Sequence, residues 1–126
     1  MTADVIPPPA PHLRTGARGE TLAARYLESL GLSVLSRNWR CREGELDLVA
    51  TDGHKLVVVE VKTRTSASHG PPADAVDHHK AARIRRLSRR WRVAHGIPWC
   101  PERFDIVAIL WPPNDTPRIT HYRGAF

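Results

Sequence analysis

Residues 44–63 of the chain read GELDLVATDGHKLVVVEVKT, and this stretch decides the fold. Residues 45–51 alternate between apolar and other side chains, which predicts a strand. Asp52-Gly53 is typical of a tight hairpin turn. The near-continuous valines of residues 55–63 predict a central strand that is buried on both faces. We therefore expect two antiparallel strands that are neighbours in the sheet.

Charged side chains interrupt both strands. Glu45 and Asp47 lie two residues apart, so they project from one face of the first strand. Glu60 and Lys62 share a face of the second strand in the same way. The apolar residues of the first strand are expected on its opposite face: Leu46, Leu48 and Ala50. Counting outward from the turn brings Asp47 close to Glu60, so acids and a lysine converge on an apolar sheet.

A cluster of this kind needs a compensating charge. An unpaired ionised side chain in an apolar setting costs several kcal/mol, and two close carboxylates raise the pKa of one unless a cation separates them. Mg²⁺ or Mn²⁺ fits, because hard divalent ions prefer carboxylate oxygens. A lysine beside the ion is placed to orient or deprotonate water, or to stabilise charge developing on phosphorus. The alternative is a structural Glu–Lys pair with an exposed Asp, which is common on solvent-facing sheets.

Hydrophobic periodicity predicts two helices and three further strands around this pair. The helices are expected at about residues 16–30 and 75–95, where apolar residues recur at helical spacing. The further strands are expected at residues 32–39, 103–111 and 118–122, the last at a sheet edge. The order helix, three strands, helix, two strands predicts an α/β fold with a mixed central sheet flanked by helices.

Composition favours a single soluble domain with a polyanionic partner. Of the 126 residues, we expect 15–126 to form one domain and the proline-rich residues 1–14 to be a disordered tail. The two cysteines lack metal-ligand spacing, and no apolar run approaches the roughly 18 residues of a membrane span. We therefore expect a cytoplasmic protein with no membrane partner. The net charge of +6 is typical of proteins that bind nucleic acid or an anionic surface.

Three acidic residues have two interpretations each. Glu20 lies on the apolar stripe of the first helix, either because it interacts with the helix dipole or because it serves the site. Glu45 either joins Asp47 or neutralises a nearby cation. Asp105 either faces the cluster or pairs with Arg103.

Several short motifs of the chain together resemble a known superfamily. They are Gly19-Glu20, Arg37-Asn38, residues 44–47, Glu60-Val61-Lys62, Lys80 and residues 103–105. This combination resembles the restriction-endonuclease-like superfamily, whose signature is written PD-(D/E)xK. It is more closely similar to the bacterial YraN family, also called UPF0102, over residues 16–109. Leu46 stands where the signature has proline, a position at which proline is often missing.

The resemblance implies an αβββαβ core and a role for each matching residue. Asp47 and Glu60 would bind the metal, and the backbone carbonyl of Val61 would add a ligand. Lys62 would position or activate the attacking water. The remaining catalytic candidates contribute from the two helices: Glu20, directly or through water, and Lys80.

The second helix also carries a basic surface. Six arginines follow Lys80 in the sequence: Arg83, Arg85, Arg86, Arg89, Arg90 and Arg92. They form either a solvated helix face or a surface that contacts phosphates, and the nuclease-like motif favours the second interpretation. The residues expected to bind nucleic acid are Arg64, Arg85, Arg86 and Arg89. The tryptophans are expected in the core or at its boundary: Trp39, Trp91, Trp99 and Trp111.

These observations predict a metal-dependent endonuclease that hydrolyses DNA, with branched or single-strand-containing DNA as the expected substrate by analogy with the fold. The alternative is a non-catalytic module that binds nucleic acid or assembles complexes on the same fold. Members of the superfamily often dimerise to cut two strands, so a homodimer is a further expectation.

Overall fold

The computed structural model describes residues 11–66 and 76–126. Two helices and five strands follow one another in the predicted order. Their bounds are α1 Pro11–Ser29, β1 Ser33–Cys41, β2 Gly44–Thr51, β3 Leu56–Arg64, α2 His78–Ala94, β4 Glu102–Leu110 and β5 Arg118–Tyr122. The α/β class and the αβββαβ order are confirmed.

The five strands form one mixed sheet in the order β1-β2-β3-β4-β5. β1–β2, β2–β3 and β4–β5 are antiparallel. β3 and β4 are parallel and pair along their whole length, from Leu56–Glu102 to Arg64–Leu110. The central position of β3 and the edge position of β5 are therefore as predicted.

The β2–β3 hairpin closes as its turn residues predict. Thr51 pairs with Leu56 at the base of the turn. The Asp52 carboxylate accepts hydrogen bonds from the backbone N–H groups of His54 and Lys55 at 2.8 and 2.9 Å. Gly53 has φ +96°, a conformation that suits glycine. These contacts fix the register that sets Asp47 against β3.

Each helix covers one face of the sheet and builds a separate core. The buried residues on the α1 side are Ala23, Ala24, Leu27, Leu48, Ala50, Val57, Val59, Val107 and Ile109. Those on the α2 side are Leu46, Val49, Leu56, Val58, Ile84, Leu87, Trp91 and Phe104. Valines of β3 enter both cores, which confirms that this strand is buried on both faces.

The predicted alternation along β2 is wrong at one position. Leu48 and Ala50 pack on the α1 side, whereas Leu46 packs on the α2 side. Asn38 lies between the β1 partners of Leu46 and Leu48 and has φ 51°, in the left-handed region. This conformation interrupts the regular alternation of the β1–β2 ribbon.

The helix starts differ from the predicted ones. α1 begins at Pro11 rather than near residue 16. α2 begins after Asp77 rather than near residue 75, because the Asp77 side chain caps the helix by accepting a hydrogen bond from the Lys80 backbone N–H at 2.8 Å. Within the described residues, neither helix is long and apolar enough to span a membrane.

Two predictions concern the ends of the described segments and the tryptophans. Residues 1–10 of the expected tail lie outside the described residues.

Trp91 is buried, as expected, but Trp99 is 75% exposed, so its assignment to the core or its boundary is wrong. Trp99 follows the end of α2, in the segment that leads to β4.

Candidate active site

The sheet opens between β2 and β3, and the candidate site lies at this opening. The two strands pair over residues 48–51 and 56–59, although β2 begins at Gly44 and β3 continues to Arg64. Beyond the last pair, Asp47 Oδ2 accepts a hydrogen bond from the Val61 backbone N–H at 2.8 Å. A carboxylate thus takes the place of a backbone acceptor. The opposite edge of β3 remains paired with β4, which holds the strand in place.

Three carboxylates meet at the opening. One oxygen each from Glu20, Glu45 and Asp47 lies within 4.8 Å of the others. Glu20 reaches the group from α1, and the other two project together from β2. Opposite ligands of one hard divalent ion are separated by about 4–5 Å, given metal–oxygen distances of roughly 2.0–2.6 Å. The spacing of the three carboxylates therefore fits a single such ion.

Gly19 brings α1 close enough for Glu20 to reach this group. A Cβ atom at Gly19 would lie 1.8 Å from Thr63 Oγ1, so the helix backbone packs directly on β3. Sequence reasoning assigned no role to Gly19. The available signal was a glycine in the middle of a helix, where it costs about 1 kcal/mol relative to alanine and so needs a packing reason.

Neighbouring polar residues orient the helix end of the cluster. The Asn38 side chain hydrogen-bonds the Glu20 carboxylate. The Arg37 guanidinium donates to Thr21 Oγ1 at 2.8 Å. Both residues were noted as a motif in the sequence, but their contact with α1 was not predicted, because it depends on the left-handed turn at Asn38.

Two lysines approach from the other face. Lys80 Nζ, from the first turn of α2, lies 2.5 Å from Glu60 Oε1, and both side chains are largely buried. Lys62 follows Glu60 on the same face of β3, so the two lysines are neighbours. Burial and the charge of Lys80 lower the pKa of Lys62. Lys62 is thereby brought closer to the neutral form that can accept a proton.

The carboxylates of the cluster are short of positive charge. Burial and the negative charge of Glu60 raise the pKa of Asp47 to about 7, against the opposing hydrogen bond from Val61. Burial and the charge of Glu45 raise the pKa of Glu20, with Asn38 opposing. A cation at this place would relieve both penalties.

Comparisons with known proteins identify the family. The model of "Uncharacterised protein family UPF0102" matches residues 19–109. The chain belongs to UPF0102. A UPF0102 protein of Frankia casuarinae is 50% identical over 88% of this chain and 94% of its own length. One from Rhodococcus jostii is 49% identical over 93% of this chain and 99% of its own length.

Two acids with open interpretations take definite positions in this UPF0102 chain. Asp105 is fully buried away from the cluster and is bonded by Arg103, whose Nε lies 2.9 Å from Oδ1. Glu45 does both things expected of it: it joins the carboxylate group, and its Oε2 lies 3.4 Å from the exposed Arg40 Nε.

The arginines of the UPF0102 chain do not form one continuous surface. The Arg85 guanidinium stacks 4.5 Å from the centre of the Phe104 ring, on the β4 side of α2. Arg86 lines a groove on the β1 side, and Arg89 borders both sides. Arg64 is half-buried at the end of β3.

Proposed function

We propose that this UPF0102 chain is a metal-dependent endonuclease that hydrolyses phosphodiester bonds of DNA. The observation that carries the proposal is the meeting of three carboxylates, whose oxygens lie within 4.8 Å of one another, at an opening of the sheet that also holds Lys62. The resemblance of these residues to the PD-(D/E)xK signature supports the same chemistry.

The donor set suits Mg²⁺ or Mn²⁺. All side-chain donors of the cluster are carboxylate oxygens, the ligands that these hard ions prefer. Asp47 is the ligand common to the resemblance and to the geometric cluster. Glu20 and Glu45 would complete the set, together with the backbone carbonyl of Val61. When bound, the ion would lower the pKa of a water and neutralise negative charge on the phosphate.

Glu60 has a different place from the one implied by the resemblance alone. Its carboxylate is held by Lys80 and lies close enough to Asp47 to raise the pKa of that residue. In our proposal Glu60 would be a further ligand of the ion, and Lys80, its ion-pair partner in this structure, would help to neutralise charge on the phosphate.

Lys62 orients the attacking water or accepts its proton. Its lowered pKa favours this role, because a base must spend part of its time neutral. Attack in line with the leaving oxygen, with a 5′-phosphate product, is the course that the resemblance implies.

The preference for nucleic acid comes from charge. The chain has a net charge of +6, and α2 carries arginines toward its surface. A cytoplasmic location and a homodimer that cuts two strands belong to the same proposal.

Cleavage of a labelled panel tests this function. Single-stranded, duplex, flapped and four-way-junction DNA and RNA would be incubated with Mg²⁺, Mn²⁺ or EDTA. We expect metal-dependent cleavage that Lys62→Ala lowers by at least about 100-fold, the typical cost of removing a charge-stabilising group. Lys55→Ala is the matched control, because it removes a lysine from the β2–β3 turn, at the opposite end of β3 from Lys62.

Either result is informative. Cleavage that survives Lys62→Ala, or that persists in EDTA, contradicts the proposed site. Metal-independent binding of DNA, with no cleavage of any substrate, would favour the non-catalytic module instead.

A further inference from the structure

A groove of about 800 Å³ runs between α2 and the β1–β2 hairpin. Arginine side chains of α2 line one part of it, and the other lining residues, which we call its floor, are mainly apolar. The arginines are Arg83, Arg86, Arg89 and Arg90. The floor residues are Trp39, Cys41, Val93 and Ala94.

The charge in this groove is unbalanced. Glu43 is its acidic lining residue, and it is ion-paired with Arg90. Within residues 11–66 and 76–126, no carboxylate lies within 4.0 Å of the guanidinium nitrogens of Arg83, Arg86 or Arg89. Three uncompensated guanidiniums in a row predict an occupant with several negative charges at regular spacing.

The apolar floor of the groove sets a second requirement for the molecule that binds there. Val93 is 76% exposed in the last turn of the strongly basic α2, and the half-buried Trp39 lines the same groove from β1. A duplex presents phosphates and groove edges, with its base faces stacked inside. An unpaired strand presents both phosphates and base faces, and base faces stack on aromatic and apolar side chains beside arginine. Guanidiniums above an apolar floor match the unpaired strand.

The residues that line the groove are next to those of the candidate site along both β2 and α2. Glu43 lines the groove and Glu45, two residues later, belongs to the carboxylate cluster. Gly44, between them, packs beside the Arg83 side chain, whose Cδ would lie 4.0 Å from a Cβ placed on the glycine. On α2, Lys80 contacts Glu60, and Arg83 follows one turn later.

The length of the groove limits the length of the nucleic-acid strand that it can hold. From Lys80 to Arg90 the helix advances about 15 Å, at roughly 1.5 Å per residue. This distance holds at most about four nucleotides, because roughly 3.4 Å per nucleotide is the spacing of a fully stacked strand and an extended strand covers more.

We propose that this groove binds an unpaired nucleic-acid strand of up to about four nucleotides and leads it to the carboxylate cluster. The inference rests on the proposed nuclease function, since it makes the groove the substrate track of that site. It narrows the substrate to a strand that is single-stranded beside the scissile phosphate.

Binding in EDTA tests the groove separately from cleavage. Three short fluorescein-labelled probes would be titrated by anisotropy: oligo(dT), a duplex, and an abasic strand of equal length. We expect oligo(dT) to bind at least about tenfold more tightly than the abasic strand. Arg83→Ala with Arg86→Ala should weaken oligo(dT) binding about tenfold or more, and reduce the slope of log K against log salt by about 1.4, at roughly 0.7 per lost phosphate contact.

The matched control removes the same charge elsewhere. Arg118→Ala with Arg123→Ala alters the β5 edge, four strands away from β1, and should change oligo(dT) binding less than twofold. Two results would overturn the proposal for the groove: equal losses of oligo(dT) affinity in the two double variants, or equal affinity for oligo(dT) and the abasic strand. Neither result affects the cleavage test. Failure of every probe to bind, together with no cleavage of any substrate, overturns both proposals.

Discussion

Asp47 and Asp105 lie in strands of the same sheet, but their carboxylates have opposite surroundings. Asp105 is fully buried and is bonded by Arg103, by His121 Nε2 at 2.7 Å and by the Gly124 backbone N–H at 2.9 Å. Although burial alone would raise it, these donors hold the pKa of Asp105 below its usual value. Tyr26 extends the network by contacting His121 Nδ1 at 3.0 Å.

Asp47 receives one backbone hydrogen bond and otherwise faces other acids. Burial and Glu60 raise its pKa to about 7, and Glu20 adds to the effect. The difference teaches that burial of a carboxylate does not by itself mark a functional site. Buried carboxylates that lack a neutralising cation do mark one, because the folded protein keeps an electrostatic cost that a bound cation can remove.

The largest effect should come from breaking the balanced site. Asp105→Ala leaves Arg103 without its carboxylate partner and removes the hydrogen bonds from three residues, Arg103, His121 and Gly124, so we expect a loss of about 3–5 kcal/mol in the free energy of unfolding. Urea denaturation at neutral pH measures this loss. Asp115→Ala, an exposed aspartate in the β4–β5 loop, is the control and should change stability by less than about 0.5 kcal/mol. Equal stability of the two variants would contradict the balance described for Asp105.

Removing the charge of Asp47 should raise the free energy of unfolding, whereas removing Asp105 lowers it. Asp47→Asn keeps an acceptor for Val61 but removes the charge, so at pH 8 in EDTA we expect a gain of about 2–4 kcal/mol. The sign follows from a folded pKa near 7 and an unfolded value of 3.8: the unaltered protein holds a proton that the unfolded chain releases. Its stability therefore falls as pH rises between these values, and the variant lacks this fall.

Urea denaturation across that pH range measures the difference. Saturating Mg²⁺ should stabilise the unaltered protein at pH 8 and have little effect on Asp47→Asn. A variant that is less stable than the unaltered protein at pH 8 would show that Asp47 is a structural residue like Asp105.

The smallest effect concerns the approach of α1 to the cluster. Gly19→Ala places a Cβ against Thr63, so we expect a loss of about 1–3 kcal/mol and lower metal affinity, because Glu20 moves with the helix. Gly16→Ala is the matched control: its Cβ meets open space, and alanine should stabilise the helix by up to about 1 kcal/mol. Thermal unfolding with and without Mn²⁺ measures both effects. A Gly19→Ala protein with unchanged metal response would separate Glu20 from the site.

The sequence was most informative where the pattern is local. The turn at Asp52-Gly53 fixes which residues of β2 and β3 face each other, because the pairs are counted outward from it. Contiguous valines identify β3 as central, since no exposed strand needs them on both faces. The proximity of Asp47 to Glu60 follows from these two facts, which is why this part of the candidate site was predictable.

Contacts between distant segments were not predictable in the same way. The partners of Asp105 come from the chain end, through His121 and Gly124, and no spacing in the sequence relates them. The shift of Leu46 to the α2 core depends on a single left-handed residue in the neighbouring strand, Asn38. The sequence shows directly that α2 carries many arginines. It does not show that Arg85 and Arg86 lie on different sides of the helix, because that depends on which elements pack beside it.

The opening between β2 and β3 also has a consequence for how sequences of this family can drift. Elsewhere the sheet separates the α1 core from the α2 core, so each can be repacked without the other. At the opening, Glu20 arrives from one layer and Lys80 from the other, and both depend on the same few ångströms of β3 backbone. A displacement of α1 where Gly19 packs on Thr63 is then expected to reach the Glu60–Lys80 ion pair on the same strand. We therefore expect substitutions in the two cores to accumulate in compensating pairs near this point, and independently of each other at the far end of the sheet.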